Sequence, residues 1–313
     1  MTTFGDMVYE FGGAPVGSGR YSSPWAKHYF VDGTDGKVNN GGLRPDDAMS
    51  TIQGAVDLAS GGDVIYIRPL PFIVDSGFTR YEEAVTITSG IASSVFVNGN
   101  MSLIGVSNGA CGDFLGVRWK ETTTAAITND APALHVENIG FFSEGAANGI
   151  LLVHDGGSDT KQGSQGTSIY NCAFKGKGVE VLSGGDGLTI EKCRFQCSST
   201  GVTAQFKMTC STHIGRRLTI RNCEWLDGNG TPPTSPCIYI LPPCTEILIR
   251  DCFFPQEASA SSCLISCAGS SNEGLLANCF FAVADLDTDL QILPGGILVV
   301  NMYDVSGRAD STN

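Results

Sequence analysis

The chain has 313 residues, which is enough for one large domain or two small ones with a sizeable core. Its 19 basic and 32 acidic residues give a net charge of −13, which argues against a nucleic-acid partner because phosphate backbones are also negative. Only 16% of the residues are charged while 40 are glycines, a composition typical of turn-rich β proteins. No apolar run reaches the about 18 residues of a membrane span and the first residues are not basic, so we expect neither a membrane partner nor a signal peptide.

Residues 1–28 are predicted to form a glycine-rich arm. The arm contains Phe4, Tyr9, Phe11 and Trp25, which a segment this short cannot bury within itself. We therefore expect these four side chains to anchor the arm, and three surfaces remain open as the anchor: the rest of the chain, a sister subunit or another protein.

Residues 46–60 are predicted to form an amphipathic helix. Pro45-Asp46-Asp47 is a typical helix start, apolar residues follow at helical spacing, and Gly61-Gly62 ends the pattern. The next segment, residues 62–69, reads as the first strand of the following domain. We expect the helix to cover the open end of that strand, since exposed strand N–H and C=O groups invite aggregation.

Six segments between residues 134 and 281 repeat one pattern, at intervals of 21 to 33 residues. Each contains an aliphatic residue, then three positions later a cysteine or isoleucine, and two positions after that an aromatic residue. The cysteine column is Ile139, Cys172, Cys193, Cys223, Cys252 and Cys279. The aromatic column is Phe141, Phe174, Phe195, Trp225, Phe254 and Phe281. The column before the cysteines contains Asn138, Asn171, Asn222 and Asn278, with Lys192 and Asp251 at its other two positions.

Short strand-like repeats of this length indicate a solenoid, because each unit can bury its inward face only by stacking on its neighbours. Inward and outward residues alternate along each segment until the asparagine column, where the alternation breaks. We therefore predict a sharp bend at that column, in the left-handed backbone region that asparagine tolerates, with the amides stacked between coils. Lys192 cannot stack in this way, so we expect its coil to distort locally.

A further strand-like segment follows each repeat, as in residues 149–154, 178–182 and 237–241. Two or three short strands per turn without intervening helices predict a parallel β-helix over residues 29–300. The fold class is thus all-β, a right-handed parallel β-helix solenoid with an N-terminal capping helix, and residues 301–313 are expected to be a loose tail.

The aliphatic–x–Asn–Cys–x–aromatic repeats resemble the pectin-lyase-like superfamily of right-handed parallel β-helices. Residues 29–69 are similar to the segment that opens the rod in many such proteins, including phage spikes. The resemblance covers residues 29–300 and implies the fold, whereas the superfamily includes lyases, hydrolases, epimerases and non-catalytic virion proteins.

No catalytic, cofactor-binding or metal-binding residue is predicted. The cysteines are expected to be free, buried thiols, since stacked side chains rarely meet disulfide geometry, and the aromatic column is expected to be core rather than a carbohydrate platform. Asp155, Asp159, Glu180, Asp186 and Asp227 do not recur in one column, so no glycosidase pair is evident. Asp32–Lys37 lacks the final ligand of a calcium loop and reads as a turn.

By elimination and resemblance, we expect a non-enzymatic phage virion protein at the particle surface, assembled as a homotrimer. A capsid decoration (cement) or head-spike protein is favoured, because the rod leaves little chain for other domains, and its partners would be the major capsid protein or tail proteins. A tailspike or adhesin that binds host polysaccharide is the first alternative, and a polysaccharide lyase or glycoside hydrolase is the second.

Overall fold

The computed structural model describes residues 10–11, 14–15, 26–73, 77–88, 99–106, 116–120, 125–142, 148–153, 163–182, 185–196, 204–209, 215–226, 236–241, 243–254, 264–267, 272–282, 296–303 and 309–310. Within these residues the chain coils through three long sheets in turn, and neighbouring coils pair in parallel in each sheet. The predicted right-handed parallel β-helix is confirmed.

The first sheet contains ten strands, which at about 4.8 Å per layer make a rod about 43 Å long. In spatial order they are β3 (His28–Val31), β4 (Val64–Ile67), β9 (Ser102–Gly105), β12 (His135–Glu137), β15 (Ser168–Tyr170), β18 (Thr189–Glu191), β22 (Thr219–Arg221), β26 (Ile247–Arg250), β29 (Gly274–Ala277) and β31 (Ile297–Val300).

From β12 onward, the second sheet follows the first after a corner residue with positive φ in each coil. Its strands are β7 (Tyr81–Glu82), β10 (Val117–Lys120), β13 (Ile139–Phe142), β16 (Ala173–Lys175), β19 (Arg194–Gln196), β23 (Glu224–Leu226), β27 (Phe253–Phe254), β30 (Phe280–Phe281), β32 (Met302–Tyr303) and β33 (Ala309–Asp310). All pair in parallel except β33, which is antiparallel to β32.

The third sheet completes the coil. Its strands are β8 (Val85–Ile87), β11 (Ala125–Asn129), β14 (Asn148–Leu152), β17 (Val179–Val181), β20 (Phe206–Met208), β24 (Ile238–Ile240) and β28 (Ile265–Cys267). Three short pairs stand outside these sheets: β1 (Glu10–Phe11) with β2 (Ala14–Pro15), β5 (Phe72–Ile73) with β6 (Gly77–Phe78), and β21 (Gly215–Arg216) with β25 (Cys244–Thr245).

The corner between the first and second sheets is formed by one residue in the left-handed backbone region, as the asparagine column suggested. Asn138, Asn171, Lys192, Asn222, Asp251, Asn278 and Asn301 have φ of 58°, 50°, 54°, 53°, 54°, 53° and 52°. The expected distortion at Lys192 is absent, because β18 keeps its register with both neighbours. The backbone alone closes this corner, so a lysine at φ 54° serves as well as an asparagine.

A second left-handed column begins the first sheet, and the sequence analysis missed it. Its members are Gly62, Asn100, Ala133, Gly166, Gly187, Arg217 and Glu246, with φ between 55° and 92°. Each of the first six donates its backbone N–H to the carbonyl that precedes the next member, as from Gly166 to Asp186 (2.7 Å). Three members are glycine and the other four are all different, so no single residue type marks this corner in every coil.

The capping helix is shorter than the predicted 46–60. A 3₁₀ turn covers Pro45–Asp47, and the α-helix α1 covers only Ile52–Leu58. Met49 between them is extended, because its backbone N–H donates to Phe30 O (2.9 Å) and its carbonyl accepts from Asp32 N (2.8 Å), a bridge that excludes helix there. With seven residues, α1 is the only α-helix of the described part and falls far short of a membrane span.

Helix α1 packs against the strand at residues 64–67, as predicted, and it also covers the end of the third sheet at β8. The amide of Gln53 accepts from Thr86 N (2.8 Å) and donates to Thr86 O (3.3 Å), so it occupies the place of a peptide group on the open edge of β8. The first sheet begins one strand earlier than predicted, because β3 pairs in parallel with β4. The other end also differs from the prediction, because β32 and β33 carry sheet structure into residues 301–313.

Candidate functional site

The cysteine column lies inside the rod. All its cysteines are buried and unpaired by disulfides, and the thiols of Cys172, Cys193, Cys223 and Cys252 donate to carbonyls of the preceding coil at 3.7 to 3.9 Å. Burial and the neighbouring thiols raise the pKa of the Cys193 thiol well above its usual value. A protonated, enclosed thiol is a poor nucleophile, so this column serves packing.

The aromatic column also belongs to the core. Phe141, Phe174, Phe195, Trp225, Phe254 and Phe281 stack nearly parallel, with consecutive ring centroids 5.1, 5.0, 4.9, 4.7 and 4.8 Å apart. None is more than 1% exposed. These rings have no face available to a ligand.

The asparagine column is a ladder with an interruption. Asn171 Nδ2 donates to Asn138 Oδ1 (2.5 Å), and Asn301 Nδ2 donates to Asn278 Oδ1 (3.1 Å). Lys192 turns aside, and its Nζ lies 2.9 Å from Tyr170 Oη. This column lies at an outer corner of the rod.

One of the four predicted anchoring residues belongs to the described part of the chain. Phe4, Tyr9 and Trp25 lie outside the described residues, and Phe11 belongs to the short strand β1. Anchoring through this arm therefore stays a prediction.

Of the five candidate carboxylates, Glu180 and Asp186 belong to the described part of the chain. Asp155, Asp159 and Asp227 lie outside it. Asp186 Oδ1 accepts from Arg216 N (2.9 Å), which fixes the turn before β18. No group of three or more His, Cys, Asp or Glu side chains within the described residues has the arrangement of a metal site.

The loop with calcium-like spacing is held by an arginine. Asp32 accepts from the backbone N–H groups of Thr34 (2.9 Å) and Asp35 (3.2 Å), and Arg68 pairs with both carboxylates. Burial would raise the pKa of Asp32, but these hydrogen bonds outweigh it and lower the pKa below its usual value. The guanidinium thus takes the position that a cation would need.

Glu180 lies at the centre of a polar cluster on the outer face of the third sheet. Its carboxylate accepts from Lys207 Nζ and from Asn148 Nδ2, both at 2.8 Å. Burial by itself would raise the pKa of Glu180. The hydrogen bonds from Lys207 and Asn148 have the opposite and larger effect, so the net pKa is below its usual value. An ionised, paired carboxylate cannot act as the general acid of glycoside hydrolysis.

The Glu180 cluster is expected to stabilise the fold at neutral pH but not at acid pH. Because the pKa of Glu180 is lower in the folded chain, its contribution is present above the unfolded value of about 4.5 and is lost as the pH falls below it. We expect the urea concentration at the unfolding midpoint to decrease when the pH is lowered from 6 to 3.5. The midpoint of Glu180→Gln should decrease less than that of wild type over the same pH range. The exposed Glu82→Gln should keep the wild-type slope. Equal slopes for Glu180→Gln and wild type would contradict the role assigned to the cluster.

Ion pairs also cover the outer faces of the middle coils. Arg221 Nη2 lies 2.8 Å from Glu191 Oε2 on the first sheet, and Arg194 Nε lies 2.9 Å from Glu224 Oε2 on the second. Both pairs join successive coils. These faces are therefore polar and largely self-neutralising.

The outward side chains of the first and second sheets change from mostly polar to apolar in the last three coils. On the second sheet, the outward column that contains Ala173, Arg194 and Glu224 continues as Phe253, Phe280 and Tyr303, the aromatic strip. On the first sheet, the column that contains Ser168, Thr189 and Thr219 continues as Leu248, Leu275 and Leu298, the leucine strip. Both faces turn apolar at the same coil.

Sequence reasoning missed these two strips, although a signal was present. Within each repeat, the residue between the cysteine and the core aromatic points outward, and at residues 253 and 280 it is phenylalanine. In each Phe-Phe pair, the repeat pattern accounts only for the second phenylalanine, which is the buried core aromatic residue. The strips replace the mostly polar side chains that the same two columns carry in the middle coils.

No protein-family model matches the chain, and no curated protein matches it. Three solved structures are similar to it in fold. A pectin methylesterase in complex with a hexasaccharide has 12% identity, 90% coverage of each chain and a TM-score of 0.44. A rhamnogalacturonan lyase has 11% identity, covers 92% of this chain and 90% of its own, and has a TM-score of 0.37. Geobacillus virus E2 ORF18 has 11% identity, covers 81% of this chain and 56% of its own, and has a TM-score of 0.35. Similarity at this level supports no statement about activity.

Proposed function

We propose that the protein is a non-enzymatic structural protein of a phage particle, exposed at the particle surface as a homotrimer, and that it serves as a capsid decoration (cement) or head-spike protein. The arm at residues 1–28 would attach it to the major capsid protein or to tail proteins. The rod would project from that attachment.

The pairing of outward acids with cations is the observation that favours a structural role over a catalytic one. Three outward acids on the strands of the described middle coils are each paired with a cation: Glu180 with Lys207, Glu191 with Arg221, and Glu224 with Arg194. Hydrolysis of a glycosidic bond requires two carboxyl groups that share one substrate, one of them protonated. Paired acids on successive coils instead link one coil to the next.

The interior supports the same role. One continuous cluster of buried side chains runs from Tyr29 to Met302. In such a solenoid, each coil is supported by both neighbours, so local opening requires the loss of two interfaces. This resistance to opening and to proteolysis suits a protein exposed on a particle.

The test is to image intact particles with a labelled antibody against this protein. Copies spread over the capsid are the expected result, whereas copies confined to the tail would favour the host-glycan adhesin and overturn the decoration role. A chain lacking residues 1–25 should fail to attach to particles stripped of the protein. Normal attachment by that chain would contradict anchoring by the arm. Sustained release of reducing ends or unsaturated products from host polysaccharide would overturn the non-enzymatic assignment.

A further inference from the structure

We propose that the last three coils form the contact between subunits, with the aromatic strip of one copy packed against the leucine strip of the next copy in a closed ring of three. The number of subunits, three, rests on the proposed function. The location of the contact surface and its head-to-tail pairing are inferred from the geometry of the two strips.

The strips expose apolar side chains that water disfavours. Phe253 is 37% exposed, Tyr303 is 40% exposed and Leu298 is 53% exposed, although the equivalent outward positions in the middle coils are mostly charged or hydroxyl side chains. Contiguous apolar side chains on three successive coils are typical of a protein contact surface. Burying them would stabilise an assembly in proportion to the apolar area removed from water.

The charge of the chain favours this surface for a second copy. Each copy carries a net charge of −13, so two copies repel each other wherever acids face acids. The six side chains of the strips carry no charge. Two ion pairs border the strips, and each supplies one cation and one anion: Arg194 with Glu224, which precedes Phe253 in its column, and Arg250 with Asp251 at the corner between the two faces. Like-charged copies can therefore approach here with little repulsion.

The orientation of the rings disfavours a sugar as the occupant. Phe253 and Phe280 stack with centroids 5.3 Å apart and planes 10° from parallel. Their faces cover each other, and their edges point outward. A sugar ring packs on an aromatic face, whereas the interdigitating side chains of a protein pack on edges equally well.

The position of the strips fits a head-to-tail contact. They lie on two faces that meet at the corner residues Asp251, Asn278 and Asn301. A head-to-tail contact joins two unlike patches of the same chain, and it closes into a ring when the rotation between successive copies completes a full turn. An aromatic strip beside a leucine strip fits this arrangement.

The test uses one opposite charge in each strip. Wild type should have three times the 32.9 kDa chain mass by light scattering at micromolar concentration. Phe280→Glu and Leu275→Lys should each be monomeric, because each places one unpaired charge in the contact. The double variant Phe280→Glu/Leu275→Lys should recover the trimer, because its glutamate faces a lysine at every contact. Ala173→Glu and Thr189→Lys, in the same columns of the middle coils, should remain trimeric.

Several outcomes overturn the proposal. A monomeric wild type removes the interface. A double variant that stays monomeric like the single variants means that the aromatic strip does not face the leucine strip. Circular dichroism and urea midpoints check that each variant is folded, and Tyr303→Glu with Leu298→Lys, at the most exposed positions, repeats the test if the first pair fails to fold. Particle imaging is independent, since a monomer could still be found on the capsid.

Discussion

Replacing Phe195 with alanine should lower the free energy of unfolding by about 3–5 kcal/mol. Phe195 is fully buried, and its ring is stacked between Phe174 at 5.0 Å and Trp225 at 4.9 Å. The layers above and below are fixed by backbone ladders, so they cannot collapse into the space that the ring leaves. The cavity therefore persists, and the lost contacts add to the lost hydrophobic transfer energy.

Two variants serve as matched controls for Phe195→Ala. Phe195→Leu retains most of the volume and should cost less than half as much. Trp225→Phe keeps a ring in the same column and removes an indole N–H that has no acceptor among the described residues, so we expect a loss below about 2 kcal/mol. Urea denaturation of all three variants provides the comparison. A loss below about 1.5 kcal/mol for Phe195→Ala would show that the column is not tightly packed.

Replacing Asn222 with valine should cost about 2–3 kcal/mol, although its side chain is outside the core. Asn222 has φ 53°, a left-handed conformation in which a β-branched side chain is strained. The strain cannot relax, because Asn222 N donates to Arg250 O (3.2 Å) and the strands on both sides are paired with neighbouring coils.

The same column supplies the controls for this prediction. Asn222→Gly should cost less than about 1 kcal/mol, because glycine adopts positive φ readily. Lys192→Asn, at φ 54°, should be neutral or stabilising, since asparagine suits this conformation better than lysine. Urea midpoints measure all three. If Asn222→Val and Asn222→Gly lose the same stability, the side-chain amide rather than the backbone conformation is what matters at this corner.

Much of the fold follows from the order of residue types. A cysteine and an aromatic residue that recur two positions apart are enough to define the inward face of the second sheet. The asparagine before them is enough to locate a left-handed corner. Both inferences succeed because in a solenoid the same local problem is solved once in every coil, so the solution is repeated in the sequence.

The ends and the second corner could not be predicted in this way. The left-handed column that begins the first sheet contains glycine, asparagine, alanine, arginine and glutamate, because hydrogen bonds from the backbone alone hold it. Helix α1 was predicted too long because Met49 pairs with Phe30 and Asp32, residues distant in sequence. Local spacing contains no information about such a partner.

The sequence by itself determined that the chain is a parallel β-helix, because inward residue types repeat wherever a coil packs on a coil. Only the tertiary structure decided which outward residues belong together. Phe253, Phe280 and Tyr303 are 27 and 23 residues apart in the chain, yet they form one strip because parallel pairing places them on successive coils. The register between coils sets that alignment, and it depends on backbone hydrogen bonds that no outward side chain records.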